Sequence, residues 1–402
     1  MSSTTNPKTI YYFNPGHENA ILNASPYYTP PANVVAMQQD LQCLPMWYAN
    51  PEGYVFSSNI LPQEYSDFIN NNLQEVAKIL LASDLNESSN YAVHLWGISP
   101  QSIHFFEELN HTTNAQLQIP SWNEKLRNLS SRETAVQCLS LLVKEFDDIS
   151  DDIIPQFYFD LESIEKTVKT SQIQLLAKAP FSSSGRGLLW IPISKLTRTE
   201  QQILHGILKK QGSVSIERVL NKRIDFAMEF GINSITDVVF EGYSLFQTTN
   251  KGGYVGNYLG SQYYIQSLLE SYINANLLEQ IKIRLSAYLQ SNFAPSYQGC
   301  IGIDMMIYDE NGKYKLHPCV EINVRDNMGL LALQISKNHL DEGAAGHFYI
   351  DFSPEKSGIY ERHLQMQKEY PLIISQKKFK QGYFNLCPVL PESKYRAYFL
   401  LE

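Results

Sequence analysis

The chain has 402 residues, with 44% hydrophobic and 12% aromatic side chains, and 41 acidic against 32 basic groups give a formal charge of -9. This length exceeds one average domain and predicts two or three packed lobes, while the composition is globular and excludes a disordered or fibrous chain. The acidic balance argues against nucleic acid or an anionic membrane as the main partner.

The N-terminus, MSSTTNPKTIYYFNPG, has neither the basic start nor the apolar core of a signal peptide, and no stretch approaches the length of a bilayer span. Five cysteines (Cys43, Cys138, Cys300, Cys319 and Cys387) are odd in number and never spaced C-x-x-C, so neither a disulfide framework nor a zinc site is indicated. A soluble protein of the reducing cytoplasm is expected.

Residues 9–13 (TIYYF) form a β-branched and aromatic run that ends at Asn14-Pro15-Gly16, a strand followed by a turn. The strand delivers His17 and Glu18 to a loop. Asn14, Gly16, His17 and Glu18 are candidate substrate contacts by position alone, and a structural histidine is the commoner fate of a residue such as His17. HENAI lacks the second histidine of H-E-x-x-H, so a zinc protease is excluded. Helical patterns around 63–82 and 99–109 flank YAVHLWG (91–97), a second strand ending at a glycine. Strands alternating with helices predict an α/β domain with a mostly parallel sheet over residues 1–120.

Residues 131–146 (SRETAVQCLSLLVKEF) have a Ser cap position, an acidic first turn and apolar residues at helical spacing, which predict a helix stopped before Pro155. From residue 173 the texture becomes short β runs: IQLLAKAP, GLLWIP, VSIERVL, DFAMEFGI and DVVFEGYSLFQTT. An amphipathic helix is expected near 276–291, then the strands IGIDMMIY and HPCVEINV joined by a turn at Asp309 to Gly312. These predict α+β lobes with antiparallel sheets, a smaller one over 121–215 and a larger one over 216–350. Residues 351–402 are expected as a mixed, aromatic extension packed on the core. No repeat, low-complexity tract or Gly/Ser linker is present.

Three segments carry chemistry. In the first, Lys178 lies on a strand that runs at once into Ser182-Ser183-Ser184-Gly185-Arg186-Gly187. Small residues with two glycines let backbone N–H groups turn toward an anion, and an adjacent lysine neutralises the phosphates they hold. A solvated hairpin with a surface lysine fits this segment equally well. In the second, Ser215-Ile216-Glu217-Arg218-Val219-Leu220 offers a backbone edge to an adenine ring, with Asp225 beyond it as a carboxylate for ribose hydroxyls. Taken alone it also suits an ordinary strand. The third is the most informative: Asp304, a turn, then Glu321-Ile322-Asn323-Val324-Arg325. In two paired strands Asp304 and Glu321 share a face, and the period of two adds Asn323 and Arg325. Two carboxylates and an amide oxygen are hard ligands suited to Mg²⁺, and Arg325 is placed to stabilise a transferring phosphate or an activated carboxylate. The bland alternative is the polar face of a half-exposed strand.

In this order, K-x-P-x-S-S-S-G-R-G, I-E-R-V-L, G-I-D and E-I-N-V-R resemble the ATP-grasp superfamily over roughly residues 125–340. The resemblance implies two α+β lobes gripping ATP. It places Lys178 at the nucleotide phosphates, residues 182–187 over them, Glu217 to Leu220 against adenine and Asp225 at the ribose. It makes Asp304, Glu321 and Asn323 the Mg²⁺ ligands and sets Arg325 at the reacting phosphate. The family usually has a lysine near the helix that opens this region, where this chain has Arg132. His317-Pro318 lengthens the separation of Asp304 from Glu321, which puts the role of Asp304 in question. Lys251, in TTNKGGYVGN, is a further candidate phosphate contact.

The templates G-x-x-x-x-G-K-[ST], HRD and G-x-G-x-x-G after a strand are all absent. The expected function is that of an ATP- and Mg²⁺-dependent ligase, which activates a small-molecule carboxylate as an acyl-phosphate and couples it to an amine. A small-molecule phosphotransferase and a nucleotide-binding regulator without turnover are the alternatives. Family habit suggests a homodimer.

Overall fold

The computed structural model describes residues 7–182, 185, 187–193 and 195–402. Ser183, Ser184 and Arg186 of the expected phosphate-covering loop lie outside the described residues. The chain groups into two compact units, one formed by residues up to 122 with 256–264 and 325–402, the other by 123–255 and 265–324.

The first unit opens with five parallel strands: β1 (Lys8–Tyr12), β2 (Tyr54–Phe56), β3 (Lys78–Leu80), β4 (Asn90–Leu95) and β5 (Gln116–Gln118), ordered β3-β2-β1-β4-β5. The chain winds outward from β1 to β3, then returns to the other side of β1 through β4. The boundary between β1 and β4 is therefore the point where the winding reverses, where open parallel sheets bind ligands at their carboxyl ends. Ile10, Val93, Leu95 and Phe106 form the core on one face. The opposite face carries Tyr11 beside His94, which are partners in the strand register.

The helix from Gln63 stops at Asn72 instead of running to 82. Three successive asparagines, which favour turns over helix interiors, end it, and the apolar residues beyond form β3. The next helix, Pro100–Thr113, runs past residue 109 until Asn114 adopts the left-handed conformation, a common helix stop.

The second unit contains the antiparallel strands β6 (Gln156–Tyr158), β7 (Leu175–Lys178), β8 (Leu188–Ile191) and β9 (Val214–Arg218), ordered β6-β9-β7-β8. Ile164, Val168 and Leu204 from two amphipathic helices pack on Ala177, Ile191, Val214 and Ile216 of this sheet. The strands β10 (Asn221–Ser234) and β11 (Asp237–Thr248) follow, then β12 (Tyr254–Leu259), most of which belongs to the first unit. After the helix Ala275–Asn292 come β13 (Gly299–Glu310) and β14 (Lys313–Asn323), and the antiparallel order is β14-β13-β10-β11.

The C-terminal residues return to the first unit as β15 (Gly346–Phe352), β16 (Ile373–Ser375), β17 (Lys378–Asn385) and β18 (Tyr395–Leu401), in the antiparallel order β12-β15-β18-β17-β16. The architecture is thus α/β with a parallel sheet at the start, followed by antiparallel α+β structure. Among the described residues no helix is long and apolar enough to cross a membrane.

Candidate functional site

The hairpin of β13 and β14 closes through Asn311 and Gly312, both with positive φ, and the Gly312 N–H donates to Asp309 Oδ1 at 3.0 Å. Two such residues suit a tight hairpin whose twist matches its strands. From Glu310↔Lys313 to Met306↔His317 the register is regular, but Asp304 then pairs with Glu321. Met305 alone therefore faces Pro318, Cys319 and Val320. The inserted residues form a bulge, and Pro318, which lacks an N–H to donate to a ladder, belongs in one. The bulge absorbs the extra length that put Asp304 in question and returns the two carboxylates to opposite positions. Asn323 Nδ2 donates to Asp304 Oδ1 at 3.1 Å.

Asp304 and Met306 are half-buried, whereas Ile303, Met305 and Ile307 are buried, so Asp304 lies on the more accessible side of β13 at this point in the strand. Strand β14 ends at Asn323. The alternation expected to continue to Arg325 therefore stops two residues short of it.

Arg132 opens the helix Arg132–Glu145, where the Ser131 hydroxyl accepts from the Glu133 N–H. Its guanidinium is buried and joins two segments: Nε donates to the Ala179 carbonyl at 3.1 Å, and Nη2 to Glu321 Oε2 at 2.9 Å and Ser182 Oγ at 3.4 Å. One cation thus ties the start of the phosphate-loop segment to a candidate metal ligand.

Lys178, at the end of β7, is buried and pairs through Nζ with Glu217 Oε1 on β9 at 2.6 Å. Arg218 lies over the ring of Tyr308 and pairs with Glu310 at 2.7 Å and Asp152 at 3.0 Å. Val219 and Leu220 connect β9 to β10, with the Val219 N–H donating to the Gln174 carbonyl. Asp225 accepts from Lys222 and, at 2.7 Å, from Thr248 Oγ1. His317, buried opposite Met306, is held neutral: burial, then the charges of Lys178 and Arg218, bring its pKa down to about 3.

In the loop, Gly185 and Gly187 have φ of 74° and 87°. A Cβ on Gly185 would fall 2.6 Å from the Gly252 carbonyl oxygen, so the loop passes directly against the segment that carries Lys251. The Ala179 N–H donates to the Gly187 carbonyl at 3.0 Å and closes the loop at its base.

Among the described residues no three His, Cys, Asp or Glu side chains form a metal cluster. Two opposed carboxylates with an adjacent amide nevertheless suit Mg²⁺, which takes one or two protein carboxylates and completes its shell with phosphates and water. The donor set fits that ion and lacks the imidazole and thiolate ligands favoured by zinc.

The first unit holds a second polar cluster at the carboxyl ends of β1 and β4. The Asn14 amide is committed to structure, donating to the Gly97 carbonyl at 2.7 Å and accepting from the Gly97 N–H at 3.1 Å. His17 is buried directly against Gly97, where any Cβ would strike its ring at 2.3 Å, and burial lowers its pKa to about 4. Gly16 has φ of 80° and abuts Val34.

Glu18 accepts from Arg325 Nε at 2.7 Å. Burial opposes its ionisation, but the Arg325 charge and further hydrogen bonds prevail and bring its pKa down to about 2. Arg325 Nη1 also donates to the Asp326 carbonyl at 3.1 Å. The Asp326 side chain, 1% exposed, accepts from Tyr48 OH at 2.8 Å and lies 2.8 Å from His94 Nε2. Sequence reasoning missed His94, Asp326 and Tyr48. The available signals were one imidazole in the otherwise apolar strand YAVHLWG and an aspartate directly after the E-x-N-x-R run.

No family model and no curated protein matches this sequence. Among solved structures, the chain is similar to N5-carboxyaminoimidazole synthetase from Staphylococcus aureus complexed with ADP, with 12% identity, 98% of this chain and 93% of that one covered, and a TM-score of 0.48. It is similar to the biotin carboxylase-beta-gamma-ATP complex from Campylobacter jejuni at 12% identity, covering 98% and 87% of the two chains with a TM-score of 0.48. For N5-carboxyaminoimidazole ribonucleotide synthetase from Thermus thermophilus the values are 10%, 98%, 93% and 0.47.

Proposed function

We propose that the chain is an ATP-grasp ligase that activates a small-molecule carboxylate with ATP and couples it to an amine, with ADP and phosphate as co-products. The observation that carries this reading is the register that sets Asp304 opposite Glu321 despite three bulged residues, with Arg132 joining Glu321 to the segment after Lys178. Charged groups of opposite sign on otherwise unrelated segments converge there. A polar strand face has no need of such convergence.

On this reading the two lobes expected over 121–215 and 216–350 are built from the second unit, residues 123–255 and 265–324, and residues 325–350 belong to the first. Lys178 and Arg132 hold the phosphates, and the loop around Gly185 and Gly187 closes over them and excludes water. Residues 217–220 receive the adenine, with Asp225 at the ribose. Asp304, Glu321 and Asn323 would hold Mg²⁺, which offsets charge on the transferring phosphoryl group. Catalysis is then largely positioning and electrostatics, because an acyl-phosphate needs protection from water more than covalent help from the protein. All five cysteines are buried and free, which suits a cytoplasmic chain.

The test is incubation with MgATP, hydroxylamine and a panel of amino acids, short peptides and small carboxylic acids. Hydroxamate formed with stoichiometric ADP supports the ligase. A stable phosphorylated product without hydroxamate would instead establish a phosphotransferase, and ATP binding without consumption across the panel a regulator.

A further inference from the structure

At the start of the helix Arg132–Glu145 the side chains part. Arg132 turns toward Glu321, whereas Ser131, Glu133, Thr134 and Gln137 line a cavity of about 570 Å³. All of its lining residues belong to the second unit, and none of them has a role in the nucleotide or metal site described above. The volume is that of a small-molecule pocket.

Tyr288 also lines this cavity. It is 8% exposed, and among the described residues its hydroxyl has no hydrogen-bond partner. Burial, with the thiols of Cys138 and Cys319 beside it, pushes its pKa up, so the phenol keeps its proton. The large majority of buried polar groups are paired, and a phenol left over on a cavity wall is a donor ready for a ligand.

The charges around the cavity favour an anion. Lys125 and Arg127 stand against one carboxylate, Glu133, which already accepts from Ser213 Oγ at 3.2 Å. Arg127 pairs only at 3.9 Å with the exposed Glu124. The positive end of the helix adds to them. Its first N–H groups are taken by Ser131 and the Pro180 carbonyl, so it contributes a field and no direct hydrogen bond.

Phe181 links the cavity to the phosphate loop. Its ring lies 5.7 Å from the Arg127 guanidinium, and its backbone is clamped by Gln211, whose side chain accepts from the Phe181 N–H at 2.8 Å and donates to its carbonyl at 3.2 Å. The next residue, Ser182, is the one that Arg132 holds.

We propose that this cavity is an effector site for a small organic anion bearing a carboxylate or phosphate group, held by Tyr288 and Arg127, and that its occupancy tightens MgATP binding through Phe181. The coupling rests on the nucleotide reading above. The site itself does not.

Titration calorimetry of the full chain with glutarate and with glycerol 3-phosphate, each with and without MgATP, tests both parts and tells a carboxylate ligand from a phosphate one. At least one probe is expected to bind, and MgATP to tighten it by about fivefold, since coupling between two sites is reciprocal. Tyr288→Phe and Arg127→Gln should each weaken the probe by about tenfold. Tyr288→Phe deletes an oxygen that has no partner in the free protein, so the thermal midpoint without probe should stay at the wild-type value. Wild-type probe affinity in either variant, or no binding of either probe, would overturn the site. Displacement of the probe by MgATP would assign it to the nucleotide site and overturn the proposal equally. A probe that the variants lose but that ignores MgATP would overturn the coupling alone. Failure to bind MgATP under any condition would sink the nucleotide reading, while the comparison of Tyr288→Phe with wild type still decides the cavity.

Discussion

Asp304 and Glu321 face each other across two strands that are unequal in length between them, with one residue on β13 set against three on β14. A hairpin with only structural duties has no reason to recover register at a pair of carboxylates. Glu321→Gln keeps the side-chain shape and an acceptor for Arg132 while removing one negative charge. Its expected effect is a loss of MgATP-dependent phosphate release of roughly 10²-fold or more, with an unchanged thermal midpoint. Wild-type turnover in this variant would remove Glu321 from the metal site. Glu321→Ala is the less informative choice, because it strands a guanidinium that is 8% exposed at a cost of about 3 kcal/mol.

Arg132 makes three side-chain contacts from one planar group, to Ala179, Ser182 and Glu321. A lysine supplies the charge but not the fork. Arg132→Lys is expected to weaken MgATP binding by about tenfold, in line with one lost charge-assisted hydrogen bond, and Arg132→Met by roughly 10²-fold or more. Titration calorimetry with MgATP gives both values, and equal affinities for the two variants would mean that the charge of Arg132 has no part in nucleotide binding.

Much of this was legible from residue order. Alternation and turn residues located β1, β4, β7 to β11 and the β13–β14 hairpin, because a two-residue period and glycine punctuation are local properties. The helix that ends at Asn72 was misread as longer, since apolar residues of β3 mimic helical spacing when the asparagine run before them is overlooked. The faces of β14 illustrate a different limit. A strict period of two carries Asn323 and Arg325 onto one face, but the strand stops between them, and strand ends depend on pairing with distant partners. His94 and Asp326 were invisible for the same reason, since 232 residues separate two side chains 2.8 Å apart.

Gly185 has a left-handed backbone and no room for a side chain, with the Gly252 carbonyl oxygen 2.6 Å from any Cβ. Backbone cannot swing aside as a flexible side chain does, so Gly185→Ala must displace either the loop or the 249–253 turn. The change should raise the dissociation constant for MgATP by about tenfold while leaving the urea midpoint close to wild type, because Gly185 and Gly187 lie outside the buried core. Nucleotide affinity equal to wild type would show that the loop does not cover the phosphates.

Three buried histidines predict how the fold responds to acid. Burial lowers the pKa of His17 and His339 to about 4 and that of His317 to about 3, against 6.5 for an unperturbed imidazole. The unfolded chain therefore binds protons at these positions at a pH where the folded chain does not. Their contribution to stability is present above pH 6.5 and declines as pH falls toward 4, with a slope of up to about 1.4 kcal/mol per pH unit for each group. His94 has the opposite sign, since its raised pKa stabilises the fold at low pH and that benefit fades as pH rises through the raised value. Glu18, lowered to about 2 from 4.5, holds until the pH drops below the ordinary carboxylate range. Urea midpoints measured from pH 7 to pH 4 should fall, with net proton uptake on unfolding. Replacing His339 with Phe, which keeps the ring packed against Trp47 without a titrating group, should flatten that fall. A midpoint that stays level over this range would show that these imidazoles are not held neutral in the native fold.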